Sequence, residues 1–286
     1  MKSKKKYYLL FLAAMVLFSS NGVTAHFIDL TSYQIVYLRS TMGAGFLLLL
    51  FLITGNKFTA FRYKHDLMFV FLSGTSAAVN WLLFFESFNR IGVSLGTVIN
   101  FTSPAIVIAL SPVLLKEKLS WQKIAAVVAA TVGVILISGT TGAQEIDPSG
   151  FVISILGAVA SAFIILFNKQ NRNIHGLEVS VLQLLSSSLV VFLYMAFKNS
   201  VIVHIPSGSL LPMLFNGVIV TGFGGFLYFS AMSRLPGQTV AVCGYLEPVL
   251  SVFLSMLIIG EQMLPLQILG TVLIIGGALF AELSSR

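Results

Sequence analysis

The chain has 286 residues, of which 57% are hydrophobic and 9% charged, with a formal net charge of +7. An ordinary soluble domain carries about 25% charged residues, so this chain cannot cover a water-facing surface of its own size. That excludes a soluble enzyme, a nucleic-acid-binding module and a disordered protein, and leaves an all-α membrane protein.

A bilayer-spanning helix needs about 20 mostly apolar residues. In chain order, ten such windows fall at about 7–28, 33–54, 67–89, 93–115, 120–139, 150–168, 176–198, 209–233, 238–259 and 264–283. Barrel strands would be about 10 residues long and alternating in polarity, and these runs are longer and continuously apolar. The start, KSKKK and an apolar run ending in Val23-Thr24-Ala25, mimics a cleavable signal peptide. The run is long for that role, and the repeat described below needs it as a first span. Connections are short, with 55–66 and 140–149 as the main loops.

The charges orient the windows. With the N-terminus inside, the inner ends hold Lys2, Lys4, Lys5, Lys6, Lys57, Arg62, Lys64, Lys116, Lys118, Lys123, Lys169, Arg172, Arg234 and Arg286, which is 14 of the 17 basic residues. Only Arg90 and Lys198 lie outside, and Arg39 lies within a span. Basic residues gather on the cytoplasmic side, so both termini are expected there, in the inner (plasma) membrane. The basic excess is thus a topology signal and forms no nucleic-acid patch.

Shifting the sequence by 144 residues registers the two halves without a gap. Pro104 falls on Pro248, Glu117 on Glu261, Gly133 on Gly277 and Arg90 on Arg234. Matches of scarce types such as Pro, Glu and Arg carry weight that Leu-on-Leu matches do not. Five spans per half is an odd number, so the second copy enters the membrane from the opposite side. The expected architecture is ten transmembrane helices as two inverted five-helix repeats, residues 1–139 and 150–286, with any substrate site near mid-membrane between them.

The matching tails SPAIVIALSPVLLKEKLSWQKIAAVVAATVGVILI and EPVLSVFLSMLIIGEQMLPLQILGTVLIIGGALF each carry a Pro within a span, a Glu at the next turn and a Gly in the following span. With the two fivefold repeats they resemble the EamA-type transporters of the drug/metabolite transporter superfamily. The resemblance covers nearly the whole chain and is specific for the superfamily, not for a substrate. It implies movement of amino acids, other metabolites or toxic compounds, often outward.

Glu247 stands near the middle of span nine, directly before Pro248. An ionisable group at that depth costs at least about 2.5–3.5 kcal/mol on insertion scales, so it should face protein or water. It reads as a substrate-amine or proton site, or alternatively as a carboxyl that stabilises a broken helix. Pro104 and Pro248 lack an N–H and free the carbonyls of Asn100 and Gly244, four residues earlier. Two symmetry-related kinks facing one cavity are expected, or packing kinks with no ligand role. Thr239, Cys243, Glu247, Ser251 and Ser255 recur every four residues along one face, which lines either a path or a close helix contact.

Arg39 is a candidate for a substrate carboxylate through its planar fork; the alternatives are snorkelling or pairing with Glu86. Asn21, Asn80, Trp81, Tyr228 and Tyr245 are candidate walls, with plain packing as the competing reading. Glu86 and Arg90 form an i,i+4 surface pair. Glu117 and Glu261 sit where acids satisfy helix N-terminal amides, and Pro265 suits the first turn of span ten. Gly92-x-x-x-Gly96 is a possible close contact.

No phosphate-binding loop G-x-x-x-x-G-K-[ST] and no H-E-x-x-H occur. Four histidines lie far apart in sequence, and the single Cys243 excludes a disulfide framework or a Cys-based metal cage. No metal or cofactor is expected. The reading is a secondary transporter that moves an amino-acid-like or amphipathic metabolite, with export favoured over uptake. Its partners are a small-molecule substrate, with a proton as a candidate co-substrate, and membrane lipid. An integral membrane enzyme would need a polar cluster near loop 55–66, where only Lys64, His65 and Asp66 offer one. An inactive partner subunit would lack a central cavity.

Overall fold

The computed structural model describes residues 2–138, 147–258 and 265–284. Glu261, Arg286 and most of loop 140–149 lie outside the described residues. The elements are α1 (Lys2–His26), α2 (Ser32–Ile53), α3 (Lys64–Asn100), α4 (Ser103–Leu114), α5 (Trp121–Ser138), α6 (Pro148–Gln170), α7 (Leu177–Phe197), α8 (Leu210–Leu214), a π-helical stretch Phe215–Phe223, α9 (Gly224–Met232), α10 (Gly237–Gly244), α11 (Leu246–Ile258) and α12 (Pro265–Ser284). There is no strand among the described residues. Among the described residues, six helical stretches are long and apolar enough to cross a membrane: Lys5–His26, Ser32–Ile53, Lys64–Ser87, Pro148–Gln170, Leu177–Phe197 and Ser207–Met232. Ser103–Leu114, Trp121–Leu136 and Ile268–Gly277 are shorter apolar helices.

Local chemistry sets the ends. Asp147 caps α6 by accepting the Ser149 N–H at 2.9 Å, with Pro148 in the first turn. Thr31 and Gln34 form a capping box on α2. Pro265 opens α12 as expected.

Helical backbone is assigned from Lys64 to Asn100, and twenty residues of straight helix would span about 30 Å, yet Asn80 Nδ2 lies 2.8 Å from Asn100 Oδ1. The chain therefore turns back between them, as separate windows 67–89 and 93–115 would require. One expectation needs correction, and it concerns the prolines. Pro104 and Pro248 do not kink continuous helices. The chain breaks at Phe101–Thr102 and at Tyr245, and each proline sits in the first turn of the helix that restarts. Proline needs no N–H partner in a first turn, so a restart costs less than a kink.

Packing exchanges elements between the halves: α6 lies against α3 and α4, and α1 against α9 and α11. Helices α2 and α7 cross antiparallel, with Tyr33 beside Tyr194, Tyr37 beside Phe192 and Thr41 Oγ1 3.2 Å from Ser188 Oγ. Helices α5 and α12 do the same, with Trp121 against Phe280 and Gly133 against Gly270 and Ile274. Gly277, the 144-residue mate of Gly133, packs on Ala126, the mate of Gly270. With little hydrophobic drive between helices in lipid, small residues allow the close backbone approach that holds them. The Gly96 carbonyl accepts Ser154 Oγ at 3.2 Å, within the same α3–α6 contact.

The tightest such contact is Gly74 on α3, where an added Cβ would lie 2.3 Å from the Gln183 carbonyl oxygen and 2.8 Å from Ser186 Cβ. Gly74→Ala should therefore destabilise by about 1–3 kcal/mol through overpacking. Gly45→Ala, which meets nothing within 4 Å, should be neutral or slightly stabilising. Thermal unfolding of the two variants in one detergent checks the difference.

Candidate functional site

Arg39 on α2 is only 8% exposed. A guanidinium so placed must be partnered or aimed at a ligand, because an isolated buried charge is costly. Its Nη1 donates to Asn21 Oδ1 on α1 at 3.3 Å, its guanidinium carbon lies 4.6 Å from the Trp81 ring centre, and its Nε has no hydrogen-bond partner. Trp81 shields the charge through its ring face. Burial rules out snorkelling, and the expected alternative pairing with Glu86 does not form. Glu86 instead accepts from Arg90 Nε at 2.8 Å and from the Tyr33 hydroxyl, which leaves Glu86–Arg90 as the expected i,i+4 pair.

Sequence reasoning missed Asn216. It is buried on the π-helical stretch and donates to Asn21 Oδ1 at 3.2 Å and to Thr24 Oγ1 at 2.8 Å. One amide oxygen on α1 thus joins Arg39 to Asn216. The lone Asn inside the apolar window 209–233 was the available signal. π-helical turns are rare and recur at functional sites, where they re-aim side chains.

Glu247 sits in the first turn of α11, just past the break at Tyr245. The N-terminal end of a helix favours a carboxylate. Its neighbours Pro248 and Val249 are buried, while Glu247 itself keeps accessible surface. A Cβ on Gly244, one turn earlier, would meet nothing within 4 Å, so open space adjoins the break. Glu247 makes no hydrogen bond among the described residues, but it lies within the electrostatic reach of Arg39 and of Tyr228. Tyr228 packs against Phe11 and Phe18 of α1, with ring centres at 5.4 and 5.5 Å.

The structure thus brings together Asn21, Arg39, Trp81, Tyr228 and Glu247. It places the candidates Asn80, Asn100 and Tyr245 elsewhere. Asn80 is committed to Asn100 Oδ1 and to the Gly157 carbonyl at 2.9 Å, tying α3 to α6. Tyr245 is fully buried, 3.3 Å from Thr131 Oγ1, and stacks on Phe101 with centres 6.2 Å apart. Phe101 and Tyr245 are 144-residue mates, so the two helix breaks touch each other. The four-residue periodicity through Thr239, Cys243, Glu247 and Ser251 is interrupted at Tyr245, and the Ser255 side chain lies outside the described residues. A groove of about 300 Å³ lies between α5 and α12, lined by Ala125, Ala129, Gly276 and Phe280. It is apolar, and Glu247 is not among its lining residues. No cluster of three His, Cys, Asp or Glu residues occurs among the described residues.

An all-helical chain with several membrane-length apolar helices and a buried basic group among them is a polytopic membrane protein. The EamA-like transporter family matches it over residues 5–139 and again over 148–283, and the chain belongs to that family. A Bacillus subtilis (strain 168) protein, YxxF, described as an uncharacterized transporter, is 25% identical over 280 residues, covering 96% of this chain and 89% of its own. YicL of Salmonella typhimurium, described as an uncharacterized inner membrane transporter, is 24% identical over 294 residues, covering 100% and 98%. A probable amino-acid metabolite efflux pump of Salmonella typhimurium is 25% identical over 181 residues, covering 59% of this chain and 60% of that one. A solved crystal structure shares the fold at a TM-score of 0.83, with 18% identity and 98% of each chain covered.

If Trp81 shields Arg39, Trp81→Leu should cost about 2 kcal/mol, the value of a desolvated cation–π contact. Trp81→Phe keeps a ring face and should cost less. Thermal unfolding midpoints of the two variants test the order.

Proposed function

We propose that the protein is a secondary transporter working by alternating access, with Glu247 as the group that binds a substrate ammonium or exchanges a proton for it, and Arg39 as its cationic counterpart for a substrate carboxylate. The observation that carries this reading is a half-buried carboxyl beside open space at a mid-chain helix break, in the field of a buried guanidinium with an unpartnered Nε. A substrate with both an amine and a carboxylate satisfies both groups, and Tyr228 and Trp81 offer apolar faces to an amphipathic body. The polar site breaks the repeat: the 144-residue mates of Asn21, Arg39, Asn216 and Glu247 are Ile165, Gln183, Leu72 and Ser103. One asymmetric site thus sits on a duplicated scaffold.

The architecture in this proposal is ten spans in two inverted five-helix units, 1–139 and 150–286, with both termini on the basic, cytoplasmic side of the inner membrane. Support comes from the antiparallel crossing of the mates α2 and α7 and of the mates α5 and α12. Outward movement is favoured by the described activity of the Salmonella efflux pump. The reading assigns no catalytic residue.

The test is flux in proteoliposomes with labelled amino acids, with and without an imposed pH gradient. Glu247→Gln keeps shape and removes the charge. It should reduce flux about 100-fold, the order expected when a buried charge-assisted contact of about 1.5–3 kcal/mol is lost, with the protein still folded by size-exclusion chromatography. Normal flux in that variant overturns the role of Glu247.

A further inference from the structure

Beyond the central site, the end of the bundle that carries Lys116 and Lys118 holds a cluster of cross-connections that the transport reading leaves unused. Glu117, in the turn after α4, is placed by sequence to satisfy the amides of the following span. Its carboxylate instead accepts the backbone N–H groups of Gly237 at 2.7 Å and Gln238 at 3.2 Å, at the start of α10 in the other half of the chain. The preceding turn, 233–236, is held at its far side by Lys169 Nζ, which donates to the carbonyls of Met232 at 3.3 Å and Leu235 at 2.5 Å. An acid caps the helix that begins and a base caps the helix that ends, each matching the end of the helix dipole it meets. Buried Gln238 donates to Ser111 Oγ at 2.6 Å, and Gln170 donates to the Leu114 carbonyl at 2.8 Å. Leu115 closes against Gly237, where an added Cβ would lie 2.7 Å from its Cδ1.

The bonds of Glu117, Lys169 and Gln238 join two packed groups of helices. On one side α6 lies on α3 and α4; on the other α1 lies on α9 and α11. Asp66 and Glu178 make comparable bonds to backbone N–H groups, but within the first group and the neighbouring α7: Asp66 to Arg172 and Asn173, Glu178 to Thr59 and Ala60. The cluster at Glu117 bridges the groups, through α10 packed on α4 and α6. The eight-residue α10 then runs from the Glu117 bonds straight to the break at Tyr245, next to Glu247.

We infer that Glu117 is a positioning residue for transport: its carboxylate latches α10 to α4 and keeps the site at Glu247 closed toward the face carrying Lys116. Release of Gly237 and Gln238 frees α10 to swing about Tyr245 and opens that face. This inference rests on the alternating-access reading.

A reporter fits the site: Gly244→Cys in a Cys243→Ser background puts a thiol where nothing lies within 4 Å. Its labelling rate by a membrane-impermeant cationic methanethiosulfonate is measured in right-side-out and inside-out vesicles. In the reporter protein alone, labelling should be slower from the Lys116 face than from the opposite face. Adding Glu117→Gln should raise the rate from the Lys116 face about tenfold, the order expected for losing a charge-assisted bond, and lower it from the other. Glu117→Asp should fall between. A general loss of structure would raise both rates together. The latch is overturned if the reporter protein labels equally from both faces, or if folded Glu117→Gln keeps the original preference or raises both rates. Such a result leaves the flux test at Glu247 standing, whereas normal flux in Glu247→Gln removes the site reading without altering the face preference.

Discussion

The constraint on which the rest depends is that lipid offers no hydrogen bonds, so backbone released from a helix at membrane depth must be buried in protein or face a water-filled space. This chain breaks helices at Phe101–Thr102 and at Tyr245. Both breaks are turned inward, and their aromatic residues stack on one another. The antiparallel pair α5–α12 lies beside it through Thr131 and is held by small residues that let backbones meet.

Polar chemistry follows the breaks. A carboxyl at the restart of α11 has the helix dipole behind it and open space at Gly244 beside it. The buried guanidinium of Arg39 is held by Asn21 and shielded by Trp81, and Asn21 is held in turn by Asn216. None of Glu247, Arg39, Asn21 and Asn216 has a twin of its own type in the other half. The duplicated helices supply a frame, and unshared residues supply the candidate site.

The end bearing Lys116 shows the same physics at a boundary. Helix termini leave amides and carbonyls without intrahelical partners, and Glu117, Lys169 and Gln170 satisfy those of other elements rather than their own. A bond between two helix groups fixes their separation as well as their stability, which is why one turn can both cap a helix and close a face.

Much was legible in the sequence because the relevant energies are local or compositional. Apolar runs, the basic bias and the 144-residue register come from desolvation and from gene-level duplication, and they give helices, a membrane and a family. Glu247 and Arg39 stood out because charge in an apolar run is expensive wherever the run folds. The tertiary structure alone decided the partners. Hydropathy could not tell that Pro104 and Pro248 restart helices rather than kink them, that Tyr245 turns toward Phe101 and Thr131, that Asn216 holds Asn21, or that Glu117 caps a helix 120 residues away. Those outcomes depend on which backbone amides and side chains meet across the bundle, and that is a property of packed helices rather than of any single stretch of chain.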